Sequence, residues 1–220
     1  AKGGTHAYVG YTLAPEHPGK GYASEAVAAI VDALFAQTDV HRLLATMDWD
    51  NLPSMRLVEE LGFDFDARLR KSELVRGEWV DDTAFSLLRD ERAAWLARPR
   101  HRPERVELVE MTEHNRRAVL ELRTHKYQEQ FVATMAKTFC DALAPETNDS
   151  GVPAVPWFRA IAADGELVGF VMVAEVAFGW PEPFLWRLLI DRRHQRRGIA
   201  TEALRQLCTR YRAAGHTTLM

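Results

Sequence analysis

Cysteine is scarce in this 220-residue sequence, and what is missing narrows the reading first. Only Cys140 and Cys208 occur, far apart and outside any CxxC spacing. That excludes a disulfide framework and a cysteine zinc site, and fits a reducing cytoplasm. His17, His194 and His216 share no ligand spacing, so no metal is assigned. Charge of one sign is not in excess: the formal net charge of −3 gives no strong pull toward nucleic acid or an anionic membrane. The apolar runs are too short to span a bilayer. Ala1-Lys2-Gly3-Gly4 leads into no apolar stretch of the kind a signal peptide needs. The absent initiator Met reads either as trimming or as a fragment of a longer chain. A Walker A loop is excluded because Gly19-Lys20 is followed by Gly21 and lacks the upstream glycine. A GxGxxG dinucleotide loop is absent as well.

What is present is a hydrophobic content of 47%, ordinary for a globular protein, in a length of 220 residues that has room for one large domain or two small ones. The most informative stretch is Gln195-Arg196-Arg197-Gly198-Ile199-Ala200. It follows the apolar run 184–190, which reads as a strand. It precedes Leu204, Leu207, Cys208 and Tyr211, whose i, i+3, i+4, i+7 spacing reads as an amphipathic helix over 201–214. A glycine loop between strand and helix leaves backbone N–H groups at the helix N-terminus, a ready site for a pyrophosphate. The plan occurs a second time. Strand-like 8–13 leads into Gly19-Lys20-Gly21-Tyr22-Ala23, then a helix carrying Val27, Ile30, Val31 and Leu34. Two such loops suggest an internal repeat.

Further elements follow from local signals. Residues 42–47 read as a strand. Pro53 with Leu57, Val58 and Leu61 gives a short helix ending at Gly62, placed as its left-handed cap. Segments 67–75 and 79–87 read as strands joined through Arg76-Gly77-Glu78. Residues 93–105, basic and broken by Pro99 and Pro103, read as a linker between segments 1–92 and 106–220. In the second segment, 106–109 reads as a strand and 113–123 and 128–143 as helices. Residues 145–156 read as a loop, and 158–163 with 167–176 as a hairpin turned by Asp164-Gly165. The final 217–220 reads as the opening of a strand.

The loop pattern [Gln/Arg]-x-x-Gly-x-[Gly/Ala] is matched fully by Gln195, Gly198 and Ala200. Gly21 and Ala23 match it in part, with Pro18 in the Gln/Arg position. On these residues the chain resembles the GNAT superfamily of acetyl-CoA-dependent N-acetyltransferases. The first segment is similar to the C-terminal half of the ribosomal-protein N-terminal acetyltransferase branch, through residues 19–26, 51–54, 60–63, 77–79 and 87–89. The second is similar to the N-terminal half of the diamine or spermidine acetyltransferase branch, through 127–133, 167–172, 185–191 and the 195–200 loop. The resemblance implies an α/β fold of mixed, mostly antiparallel sheets flanked by helices, in two incomplete lobes of a tandem parent.

It also implies that acetyl-CoA is bound by Gly19, Lys20, Gly21, Tyr22 and Ala23 in one lobe, and by Gln195, Arg196, Arg197, Gly198, Ile199 and Ala200 in the other. Leu13, Leu189 and Ile190, on the preceding strands, would offer backbone groups to the pantetheine arm. That strand splays from the next to admit the acetyl group. Asn51 would contact the cofactor or only cap its helix. Ser54 would be a coenzyme-contacting or acid-donating serine, or a locally bonded helix residue. Val58 stands where other branches carry a tyrosine acid. Glu175 would be the base, directly or through water, or merely an exposed strand carboxylate. Arg193, Arg196 and Arg197 are candidates to pair with phosphates. The expected acceptor is a primary amine of a peptide, polyamine or small molecule. Nucleic acid and membrane are not expected partners. Two other readings stand beside this one: a non-catalytic acyl-CoA-binding or scaffolding lobe, and one composite site made by both lobes. Incomplete lobes would expose the sheet edges at 8–13 and 185–190, which predicts self-association; a dilute monomer in sedimentation would count against it.

Overall fold

A computed structural model describes residues 6–17, 19–147, 151–176 and 182–220. The chain separates into two compact units, residues 1–98 and 99–220. Among the described residues each holds one four-stranded sheet.

In the first unit the elements are β1 (His6–Tyr8), α1 (Tyr22–Gln37), β2 (Arg42–Asp48), α2 (Leu52–Glu60), β3 (Asp64–Val75), β4 (Glu78–Leu88) and α3 (Arg89–Ala97). The sheet order is β1-β2-β4-β3, with β1 parallel to β2 and the other pairs antiparallel. Val27, Val31 and Phe35 recur on one face of α1 and are buried, as are Met55 and Val58 of α2 and Leu43, Phe85 and Leu87 of the sheet. Two expectations need correction. The strand expected over 8–13 stops at Tyr8: after the bond from Val9 N–H to Leu44 O at 2.8 Å, residues 10–14 make no further strand pairing with β2. The proposed linker 93–105 is helical through Ala97, because Trp95 is buried and its indole N–H donates to Glu60 O at 3.0 Å. In the same helix Arg92 grips Asp32 with two bonds, at 2.8 and 3.1 Å.

In the second unit the elements are β5 (Val106–Val109), α4 (Arg116–Leu120), α5 (Met135–Leu143), β6 (Val155–Ala163), β7 (Glu166–Val176), β8 (Phe184–Ile190) and α6 (Ile199–Ala213). All pairs in the β5-β6-β7-β8 sheet are antiparallel. The β6–β7 turn has φ values of 51° at Asp164 and 87° at Gly165, the two left-handed residues that a tight hairpin needs. β7 is buried on both faces. Val171 and Val173 pack with Ile199, Ala203, Leu207 and Tyr211 of α6. Phe170 and Met172 face the other way, with Val119, Leu122 and Met135 from the α4–α5 side. Period-two alternation therefore places helices on both faces of this sheet.

The helix expected over 113–123 is only Arg116–Leu120. At its front Asn115 folds back on the chain, accepting from Thr112 N–H at 2.8 Å and donating to Glu110 O at 2.7 Å. At its back Arg123 is drawn to the end of β8, its N–H donating to Asp191 Oδ2 at 3.1 Å and its carbonyl accepting from Arg192 N–H at 2.9 Å. The helix expected over 128–143 is replaced by a 3-10 turn at Lys126–Gln128 and by α5, which starts afresh where Thr134 caps Lys137 N–H. Residues 217–220 form no assigned strand. Even so, Met220 is bonded to both sides of Phe184, from its N–H to Pro183 O at 3.0 Å and from Leu185 N–H to its own carbonyl at 2.6 Å.

Gly169 sets how closely β8 approaches β7. A β-carbon there would lie 2.6 Å from Leu189 O and 2.8 Å from Ile190 Cδ1. Gly169→Ala is expected to destabilise the second unit by about 1–3 kcal/mol, since backbone must shift to admit the methyl. Denaturant unfolding measures this; a midpoint unchanged from the wild type would contradict the packing.

Candidate functional site

The two loops singled out in the sequence share one backbone conformation. In the second unit Arg196 has φ 61° and Gly198 φ 79°; in the first, Gly19 has φ 71° and Gly21 φ 81°. Left-handed residues two apart turn successive N–H groups to one side, forming an anion-binding concavity. Gly198 and Gly21 are the N-cap residues of α6 and α1, and neither helix has a side-chain cap bond. The first intrahelical bonds are Glu202 N–H to Gly198 O at 3.1 Å and Glu25 N–H to Gly21 O at 3.0 Å. The N–H groups before them have no intrahelical acceptor and carry the positive end of the helix dipole. By contrast, α2 and α5 are closed by Asn51 and Thr134.

Beside the second loop is a cavity of about 420 Å³. Ile190, Gln195, Arg196, Gly198, Ile199 and Ala200 line it, together with Thr124, Gln128, Phe131, Val132, Leu188, His194 and Thr201. Leu189 faces the opposite side of the sheet, packed with Phe170 and Met172. Gln195 does not reach outward. Its amide exchanges bonds of 2.8 and 3.1 Å with the amide of Gln128 and donates to Ile190 O at 3.0 Å. Gln128, which no local signal marks as part of the site, thus ties the 126–128 turn to the loop.

Arg197 is buried and its guanidinium is engaged, donating from Nε to His101 O at 2.8 Å and from Nη1 to His194 Nδ1 at 2.9 Å. Arginine can only donate, so Nδ1 is the acceptor and the His194 proton sits on Nε2, which faces Glu166 at 3.5 Å. Burial holds His194 below its ordinary value of 6.5. Arg197 and Arg193 push the same way, while Glu166 and Asp191 oppose them.

Glu175 is not among the residues lining this cavity. Its carboxylate accepts from the Tyr211 hydroxyl at 3.1 Å and from Arg210 at 3.3 Å, beneath α6. Burial, with the Glu175 charge adding to it, pushes the Tyr211 phenol up to about 12, so it stays a donor.

In the first unit Gly19, Lys20, Gly21 and Leu13 are exposed, Tyr22 is half-exposed against His17, and Ala23 is partly covered. Pro18 lies outside the described residues. Asn51 caps α2 by accepting from Ser54 N–H at 3.2 Å. Tyr11 reaches the same turn, its hydroxyl donating to Ser54 O at 3.4 Å; burial raises its pKa. Tyr11 was not singled out in the sequence because nothing local links it to a helix 43 residues away. Ser54 and Glu175 belong to different units.

His194 gives the site a pH dependence. A folded-state value below 6.5 means that the unfolded chain binds the proton more tightly. Its contribution to stability is therefore complete above the unfolded value and is lost as pH falls through the depressed folded one. The unfolding free energy should decline on acidification below pH 6.5, and His194→Gln should remove part of that decline. Equal slopes for the two proteins in pH-dependent denaturation would contradict a His194 held below its ordinary value by burial.

Comparison with known proteins gives two family matches. Residues 1–64 match an acetyltransferase (GNAT) domain, and residues 109–220, half of the chain, match the acetyltransferase (GNAT) family. The N-acetyltransferase p20 of Bacillus licheniformis is 39% identical over 87 residues, covering 40% of this chain and 49% of that protein. The [ribosomal protein uS5]-alanine N-acetyltransferase of Escherichia coli is 30% identical over 87 residues, covering 39% and 45%. A solved structure of a GNAT-family acetyltransferase from Bacillus anthracis is 30% identical, with a TM-score of 0.38 over 39% of this chain and 52% of its own. The chain spans about half the length of the curated relatives it matches. With matches in both units, this chain belongs to the GNAT family of acetyltransferases.

Proposed function

We propose that the protein binds acetyl-CoA at the loops opening α6 and α1 and, as part of a complete enzyme, transfers its acetyl group to a primary amine. The observation that carries this reading is the uncapped N-terminus of α6 behind left-handed Arg196 and Gly198. The residues fit a diphosphate. Gly198 is exposed and carries no side chain to fill the concavity, and the N–H groups of residues 199–201 are free of intrahelical acceptors. Ile190 and Leu188 would flank the pantetheine arm along the cavity wall. In the first unit, residues 10–14 make no strand pairing with β2 after the bond from Val9 to Leu44, and there the acetyl end of the coenzyme would enter.

The chemistry is direct. The unprotonated amine attacks the thioester carbonyl, a C–N bond forms, the C–S bond breaks, the amine proton passes to a base or water, and the thiolate takes up a proton. Backbone N–H groups steady the oxyanion. The E. coli relative is named for alanine N-acetylation of a ribosomal protein; a peptide N-terminus is accordingly one acceptor class to test, beside polyamines and small amines. Self-association through the edges of β1 and β8 belongs to the same proposal.

A second reading, a coenzyme-binding lobe without catalysis, is favoured by one observation in the second unit. Glu175 is committed to Tyr211 and Arg210, and His194 is committed to Arg197 while facing Glu166, so no uncommitted base lines the described cavity.

Calorimetric titration with acetyl-CoA separates the loops. Gly198→Glu places a carboxylate where the diphosphate would lie and is expected to weaken binding at least about tenfold; Gly21→Glu tests the first loop likewise. Unchanged affinity in both variants would remove the coenzyme reading. Binding without turnover of any amine would favour the second reading.

A further inference from the structure

The segment that the sequence presents as a basic, proline-broken linker is docked on the second loop. Arg197 Nε donates to His101 O at 2.8 Å. Arg105 and Asp164 are bonded both ways at 2.9 Å, and Gln206 donates to Val106 O at 2.7 Å. These anchors come from the loop, the β6–β7 turn and α6, so the backbone between His101 and Val106 is fixed at both ends.

Arg102 lies between the anchors. A β-carbon built on Gly198 would lie 3.7 Å from its Nε and 3.9 Å from its Cδ and Cγ. The same stretch, with Gly198 and Glu202, bounds a cavity of about 310 Å³. The side chain is 70% exposed, and its ion pair with Glu202 spans 3.9 Å, too long for a hydrogen bond. Glu202 is also paired with Arg205. An exposed pair of this length holds the guanidinium weakly, so leaving it costs little.

We propose that Arg102 is a phosphate-binding residue of the α6 loop, its guanidinium moving from Glu202 onto the coenzyme diphosphate seated at Gly198. The proposal rests on the coenzyme reading above. It adds a residue outside the family-matched span 109–220. The division of labour follows from the geometry. Arg197, inside the loop motif, is buried and donates to His101 O and His194 Nδ1, and the 99–105 segment that it helps to hold delivers the exposed arginine in its place. A planar fork of N–H donors matches two adjacent phosphate oxygens. With its stem against Gly198, the fork is placed for the diphosphate rather than for a phosphate at the far end of the nucleotide.

The test is titration of the full chain with coenzyme A and with 3′-dephospho-coenzyme A, for the wild type, Arg102→Ala and Arg102→Lys, with thermal unfolding as the control for folding. Arg102→Ala is expected to weaken both ligands equally, by about tenfold, with Arg102→Lys between it and the wild type. The difference should shrink as salt rises. Wild-type affinity in Arg102→Ala would overturn the proposal and leave the coenzyme reading intact. A loss confined to coenzyme A would overturn it too, placing Arg102 at the 3′-phosphate. No binding by the wild type would remove both.

Discussion

Everything proposed for this chain depends on a helix N-terminus left open behind two residues in left-handed backbone. Gly198 holds φ 79° without cost, whereas Arg196 holds φ 61° against the usual penalty of roughly 1–2 kcal/mol for a side chain in that region. Such a conformation persists only when its surroundings determine it. Here they do. Gln195 is clasped by Gln128 and Ile190, and Arg197 is clasped by His194 and His101. Asp191 accepts from the N–H groups of Arg123 and Arg193 at the loop's entrance. The residues that alternate with the exposed ones are fastened inward, so the exposed backbone is presented without side chains of its own to cap it.

This explains why the motif carries polar residues that need not touch a ligand. In the second unit the side chain of Gln195 ties the loop to the 126–128 turn, and that of Arg197 ties it to the segment before β5. The first loop reaches the same backbone conformation with glycine at both left-handed positions, Gly19 and Gly21. Glycine removes the steric penalty that Arg196 bears, so fewer tertiary clasps are required there.

Much of the fold was legible because its signals are local. The Asp164-Gly165 turn, the Phe184–Ile190 strand and the Asn51 cap each depend on a few neighbouring residues, and the glycine loops are marked by a short motif of their own. What was not legible depends on partners distant in sequence. Asp191 is 68 residues from Arg123, whose bond to it ends the α4 region early. Glu175 reads either as a base or as an exposed strand carboxylate, and no local signal shows the bond it accepts from Tyr211, 36 residues on. The basic 98–103 stretch is exposed at Arg100, His101 and Arg102, as a solvated segment would be, but no local signal shows that Arg197, 96 residues away, holds the His101 carbonyl. Local sequence encodes turns and caps; it does not say which polar side chain is already engaged.

The most direct measurement is backbone amide hydrogen exchange across residues 195–203, with and without coenzyme A. The N–H groups of Ile199, Ala200 and Thr201 should exchange fast in the free protein, since they lack intrahelical acceptors, and slow markedly when the diphosphate supplies one. Slow exchange in the free protein, or exchange unchanged by saturating coenzyme A, would contradict it.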